Sequence, residues 1–221
     1  MLYIISTPIG NLQDITLRAI EALKTVDIIA AEDTRQSKIL LDHYGIQKPV
    51  TSFFDHNQKI KGERLLGILR EGKSVALITD AGTPGISDPG YSLIKLAYDN
   101  DIPVTVVPGV TALITALTLS GLPAHRFIFE GFLPPKTVGR RKKLQSLKAE
   151  EGTIIFYESP HRLLKALEDI KEVLDDPTMV VARELTKKFE EVKKGKASQL
   201  LAHFTAHPPR GEFVLLLNFK S

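Results

Sequence analysis

Short continuous apolar runs recur along the chain, separated by longer stretches in which apolar residues return every three or four positions. In the first half the runs are Leu2 to Ser6, Ile28 to Ala31, Val75 to Thr79 and Val104 to Val107. Runs that do not alternate with polar residues predict strands covered on both faces, and helical stretches between them supply the crossovers of a parallel sheet. Thr16 is placed to cap a helix carrying Leu17, Ile20 and Leu23 on one face, and Pro89 suits the first turn of another holding Leu93, Ile94 and Leu96. The second half repeats the alternation, with strands over Phe127 to Glu130, Thr153 to Tyr157, Met179 to Ala182 and Phe213 to Phe219. Leu163, Leu167, Ile170 and Leu174 follow the spacing of one helical face. The reading is α/β throughout, as two α/β domains over 1–115 and 116–221. Pro108-Gly109 ends a strand ahead of that boundary, and a cofactor cleft is expected between the lobes.

Composition narrows the class. At 43% hydrophobic and 25% charged, the chain has a globular protein's balance and no signature of disorder. No apolar run approaches the ~20 residues of a spanning helix, so no membrane partner and a cytoplasmic location are expected. The absence of cysteine excludes thiolate catalysis and disulfides. The six histidines never take a His-x-x-x-His spacing beside an acid, so no metal site is expected. Residues 1–120 hold 11 Lys and Arg against 13 Asp and Glu, whereas residues 121–221 hold 18 against 13. That asymmetry points to a polyanionic partner or, equally, to a solvated lysine face. Its main contributors are Lys136, Arg140 to Lys143 and Lys148, with Lys187, Lys188, Lys193, Lys194 and Lys196.

The densest candidate chemistry is Asp80-Ala81-Gly82-Thr83-Pro84-Gly85-Ile86-Ser87-Asp88-Pro89-Gly90, directly after a strand. Carboxyl ends of strands host ligands in open α/β sheets, and a Gly/Pro-rich loop lets backbone approach a ligand closely. Ser6 to Leu12 and Pro108 to Ala112 follow two further strands, so three loops can converge on one site. Phosphate-binding and dinucleotide fingerprints are absent, as is Gly-x-Ser-x-Gly. Polar clusters follow other strands: Glu32-Asp33-Thr34-Arg35, Phe54-Asp55-His56-Asn57, Tyr157-Glu158-Ser159-Pro160-His161-Arg162 and Arg183-Glu184-Leu185-Thr186-Lys187. Each reads equally as a source of general bases and anion ligands or as helix-capping chemistry, with Asp33, Thr34 and Ser159 as the candidate caps.

Taken in order, these segments, with Glu130 to Pro134 and Gly211 to Val214, resemble the tetrapyrrole methylase superfamily of class III S-adenosylmethionine methyltransferases. Within it they are most similar to the branch that methylates ribosomal RNA of the small subunit. The resemblance implies two α/β domains, S-adenosyl-L-methionine as cofactor, a homodimer, and transfer to the ribose 2′-hydroxyl of a cytidine in 16S rRNA or the small ribosomal subunit. It carries the cofactor contacts onto Pro8, Ile9, Asp80, Gly82, Thr83, Ile86, Thr111, Ala112, Tyr157 and Ala182. Thr83 stands where the superfamily's Gly-Asp-Pro acid would be, a change that the ribosomal branch keeps. For catalysis, the polar segments that follow strands offer Asp33 or His56 to accept the hydroxyl proton, with Arg35, Asn57 and Lys187 holding a flanking phosphate or the hydroxyl. Lys136, Arg140 to Lys143, Lys187 and Lys188 are the expected phosphate contacts. A small-molecule tetrapyrrole methylase and a non-catalytic RNA-binding module are the rival readings.

Overall fold

The computed structural model describes residues 1–54 and 56–220. It divides into two compact units, Met1–Thr111 and Ala112–Ser221. In the first, β1 (Leu2–Ile5), β2 (Ile28–Ala31), β3 (Val50–Ser52), β4 (Val75–Ile78) and β5 (Val104–Val107) form one parallel sheet in the order β3-β2-β4-β1-β5. Its helices are α1 (Leu17–Thr25), α2 (Thr34–His43), α3 (Gln58–Arg70) and α4 (Tyr91–Tyr98). Ile5, Ile29 and Ile78 pack with Leu23 of α1 and with Leu40 and Leu41 of α2 on one face. Leu2, Ile4 and Leu77 pack with Leu65 and Leu69 of α3 and with Leu93 and Ala97 of α4 on the other. Both faces of every central strand are therefore apolar, which is why their sequences run without alternation. The chain winds one way from β1 through β3 and the other way from β3 to β5. Such a reversal opens a crevice outside the carboxyl ends of adjacent strands, here β1 and β4.

Local details both follow and correct the pattern. Thr16 does cap α1, its hydroxyl accepting from the Ala19 amide at 3.1 Å. Leu17, however, is 81% exposed, and the buried positions of α1 are Ala19 and Leu23. Steps of three residues fall short of the ~3.6-residue turn, so a 17-20-23 stripe drifts around the helix: Leu17 faces solvent, Ile20 packs on the core half-buried and Leu23 is fully buried. Pro89 lies outside α4, which Gly90 precedes with φ +153. A Cβ at Gly90 would stand 3.0 Å from the Gly85 nitrogen, so the loop turns into α4 through a glycine. Strand β3, with only three residues at the sheet edge, was not legible as an apolar run.

The second unit comprises α5 (Ala112–Ser120), β6 (Phe127–Phe132), α6 (Thr137–Ser146), β7 (Thr153–Glu158), α7 (Leu163–Val173), β8 (Thr178–Arg183), β9 (Glu191–Lys196), α8 (Ala197–Ala206) and β10 (Phe213–Leu217). Its sheet is mixed, in the order β6-β7-β10-β8-β9. Only β6 and β7 run parallel; β10 inserts antiparallel between β7 and β8, and β9 is antiparallel to β8. Leu163, Leu167, Ile170 and Leu174 face the sheet as their spacing requires, joined by Leu144 of α6 and by Leu200 and Phe204 of α8. Helix α5 packs on the opposite face against β7, β8 and β10. Strand β9, Glu-Val-Lys-Lys-Gly-Lys, escaped the apolar criterion because an edge strand is kept from further pairing by its charges. Among the described residues no helix is long and apolar enough to cross a membrane.

Candidate active site

Because β1 lies between β4 and β5, the three loops that leave their carboxyl ends meet. Thr7 and Gly82 exchange backbone hydrogen bonds, Thr7 N to Gly82 O at 2.8 Å and Gly82 N to Thr7 O at 3.1 Å. The Thr7 hydroxyl donates to Thr79 O at 3.0 Å, and the hydroxyls of Ser6 and Thr83 stand 2.8 Å apart. Gly82 takes φ +79, and a Cβ there would lie 3.6 Å from Ile9 Cγ2 and 3.8 Å from Val110 O. Pro8 and Ile9 are buried, Ile86 closes a turn by donating its amide to Thr83 O, and Thr111 ends the unit, one residue before Ala112 opens α5. Seven of the ten expected cofactor residues, Pro8, Ile9, Asp80, Gly82, Thr83, Ile86 and Thr111, thus stand on loops that leave one edge of one sheet. Ser6 and Thr7, which hold those loops together, were not singled out among the expected contacts. Their signal was the pair of hydroxyls at the end of a central apolar strand.

The same edge carries carboxylates. Asp33 N donates to Asp80 Oδ1 at 3.1 Å, and Asp80 N donates to Glu32 Oε2 at 3.3 Å. Desolvation raises the Asp80 pKa, the Asp33 amide opposes the shift and the Asp33 charge adds to it. Asp33 moves the other way, to about 2, because the Arg35 side chain and backbone amide both donate to it. Arg35 Nη2 reaches Oδ2 at 2.7 Å, and the Arg35 amide reaches Oδ1 at 2.8 Å, so Asp33 is also the N-cap of α2. The capping reading holds for Asp33. A carboxylate held that low is a weak proton acceptor near neutral pH.

Asn57 likewise serves its own turn, accepting from Phe54 N at 2.9 Å and donating to Ser52 O at 3.3 Å. His56 is exposed, its ring edge-on to Phe54. Asp55 lies outside the described residues.

In the second unit, Tyr157 and Ala182 both pair with Val214 and so share one cross-strand row. The Tyr157 hydroxyl accepts from the Leu113 amide in the first turn of α5 at 3.1 Å. Lys187 sits between Glu184 at 2.9 Å and Glu212 at 2.8 Å. Much of the expected basic stretch is also engaged internally. Arg140, 3% exposed, and Arg141 both pair with Asp169, Lys143 pairs with Glu130, and Lys148 with Asp175. Burial corrects the expectation of a phosphate contact for Arg140, whereas Arg141, Lys143 and Lys187 remain partly exposed within their pairs. Ser159 does not cap α7 through its side chain; its carbonyl accepts from the Leu163 amide.

The model of the Tetrapyrrole (Corrin/Porphyrin) Methylases matches residues 1–201. The chain belongs to the tetrapyrrole methylase family. Among curated relatives of this tetrapyrrole methylase, the ribosomal RNA small subunit methyltransferase I of Thermotoga maritima is 48% identical over 99% of this chain and 98% of its own. That of Escherichia coli O157:H7 is 51% identical over 98% of this chain and 77% of its own. Solved structures share the fold at lower identity. The cobalamin biosynthetic enzyme cobalt precorrin-4 methyltransferase superposes with a TM-score of 0.75 at 21% identity, covering 99% of this chain and 94% of its own. A uroporphyrin-III C-methyl transferase from Thermus thermophilus complexed with S-adenyl homocysteine gives 0.67 at 18%, covering 97% and 96%.

In this methylase the crevice suits a ligand gripped mainly by backbone. Gly85, exposed at φ +86, leaves its peptide groups uncovered by a side chain, and the paired Ser6 and Thr83 hydroxyls keep one O–H to donate beside it.

Proposed function

We propose that this protein uses S-adenosylmethionine to methylate RNA of the small ribosomal subunit, at the 2′-hydroxyl of a cytidine ribose in 16S rRNA. The observation that carries the reading is the 48% identity, over 99% of the chain, to a relative named a ribosomal RNA small subunit methyltransferase; the cytidine and its 2′-hydroxyl are what the family resemblance implies. The donor supplies a methyl group on a sulfonium, which leaves as a neutral thioether. Transfer to an alcohol needs alignment above all, and alignment is worth effective molarities of ~10⁵ M or more. Pro8, Ile9, Asp80, Gly82, Thr83, Ile86, Thr111 and Ala112 hold the donor. Their loops are already cross-linked before it arrives, which lowers the ordering cost of binding.

His56 accepts the ribose proton in this reading. Asp33 is committed to Arg35 and to the cap of α2, whereas His56 presents an exposed imidazole, a side chain suited to general-base work. Arg35 steadies the flanking phosphate. Lys136, Lys142, Lys188 and Lys194 are exposed and take part in none of the ion pairs among the described residues, so they provide the phosphate contacts instead of Arg140 and Lys187. The enzyme works in the cytoplasm and as a homodimer, the second reading supported by exposed Ile114 and Leu119 on α5.

The test is transfer of labelled methyl from S-adenosylmethionine to small subunits purified from cells lacking the protein. Label at one cytidine, as a 2′-O-methyl that blocks alkaline cleavage, is expected. Unlabelled 16S rRNA, or label on a base, would overturn the reading. Ala at His56 should cost ~10² to 10⁴ in turnover with donor binding intact.

A further inference from the structure

Ser6 occupies the point where the three loops of the first unit are joined. It directly follows β1 and is 4% exposed. Its amide donates to Val107 O at 3.2 Å, which ties it to the last residue of β5. A Cβ on Gly109 would fall 2.8 Å from Ser6 Cβ, so the chain leaving β5 packs on Ser6 too closely for any side chain. Its hydroxyl meets Thr83 Oγ1 at 2.8 Å, which ties it to the loop leaving β4.

The hydroxyl pair has a definite task there. Thr83 lies between Gly82 at φ +79 and Gly85 at φ +86. The Thr7–Gly82 bridge holds the backbone on one side of Thr83, and Pro84 and the Ile86 amide on Thr83 O hold it on the other. The bond from Ser6 to Thr83 is the side-chain tie that joins this turn to the ends of β1 and β5. A pair of hydroxyls uses one of its two protons internally, so a second O–H donor is left, polarised by the first.

We propose that Ser6 is a positioning residue for the methyl donor, acting through Thr83: the hydroxyl pair holds the Gly82–Gly85 segment in its binding conformation and leaves one oriented O–H for a donor oxygen. The inference rests on the reading of this crevice as the cofactor site.

Isothermal titration of S-adenosylhomocysteine into the full chain tests it, with melting curves alongside. Ser6→Ala and Thr83→Val should each weaken binding about 3- to 10-fold, the range of one net hydrogen bond. The double variant should bind about as poorly as either single one, because both remove the same bond. Thr83→Ser, which keeps the hydroxyl, should recover most of the loss. In turnover the KM for S-adenosylmethionine should rise while kcat at saturation falls much less. Should Ser6→Ala melt early, Thr83→Val at a half-buried position reports on the same pair. Wild-type binding by both single variants, losses that multiply in the double variant, or a Thr83→Ser as weak as Thr83→Val would each overturn the role of Ser6 and leave the cofactor site standing. A wild-type chain that binds no S-adenosylhomocysteine would overturn both.

Discussion

The backbone amide of Asp33 donates to the Asp80 carboxylate at 3.1 Å, so the segments leaving two neighbouring parallel strands are tied through a carboxyl group. The two acids are driven in opposite directions by their surroundings, Asp33 down by Arg35 and Asp80 up by desolvation. Of the two, Asp80 is the one that holds a proton at higher pH.

Opposite shifts predict opposite pH behaviour. Asp33 titrates at about 2 in the folded protein against an ordinary 3.8, so its stabilisation is present above 3.8 and lost as pH falls toward 2. Asp33→Asn should lower the melting temperature at pH 7 and make little difference near pH 2. For Asp80 the ionised form is the disfavoured one, and stability falls as pH rises from 3.8 through the raised value. Asp80→Asn should melt at or above wild type at pH 7, since the amide oxygen still accepts from Asp33. Carboxyl chemical shifts followed by NMR assign the two titrations directly.

Arg140 and Lys142 lie two residues apart on α6 and should behave as different kinds of residue. Arg140 is buried against Asp169 at 2.6 Å, and Arg140→Ala leaves a buried carboxylate with only Arg141. Removing one partner of a buried pair costs about 3 kcal/mol or more, readable by urea unfolding. Lys142 is exposed, and Lys142→Ala should leave unfolding unchanged. Its loss as a phosphate contact should take about 0.7–0.9 from the slope of log affinity for small-subunit RNA against log salt.

Glu158 has no side-chain exposure and pairs with Arg162 at 3.4 Å, while the Ser159 amide donates to it at 2.8 Å. Burial raises its pKa above the ordinary 4.5, and the Ser159 amide, Arg162 and Arg140 only partly offset this. Folding is therefore favoured at low pH and loses ground as pH climbs from 4.5 through the raised value. Glu158→Gln removes that loss. Its melting temperature relative to wild type should rise between pH 4.5 and pH 7; a constant difference would refute the assignment.

Two glycines make a matched comparison. Gly109→Ala places a methyl 2.8 Å from Ser6 Cβ and should cost ~1–3 kcal/mol as overpacking, with weaker S-adenosylhomocysteine binding because Ser6 must move. Gly67, inside α3, has nothing within 4 Å of its missing Cβ. Gly67→Ala should stabilise by ~0.5–1 kcal/mol through the helix alone and leave binding unaltered.

What the sequence determined by itself was whatever depends on near neighbours. Burial on two faces needs unbroken apolar runs, so the three central strands of the first sheet, β1, β2 and β4, showed directly, and the edge strand β5 showed through its valines although Val106 is half exposed. A helix facing one sheet needs its 3.6-residue stripe, so Leu163 to Leu174 showed as well. Turn chemistry needs particular side chains, so Thr16 read as a cap and the Asp80 to Gly90 loop as a candidate site. Tertiary structure alone decided which strands became neighbours. The order β3-β2-β4-β1-β5 brings Ser6 to Thr83 and Asp33 to Asp80, across 77 and 47 residues of chain. It also decided the fate of the charges. Whether an arginine faces solvent or Asp169 depends on how α6 packs on α7, and no local pattern distinguishes Arg140 from Lys142. Edge strands β3 and β9 stayed hidden for the same reason, since ladder hydrogen bonds made with a distant partner leave no apolar signature in their own residues.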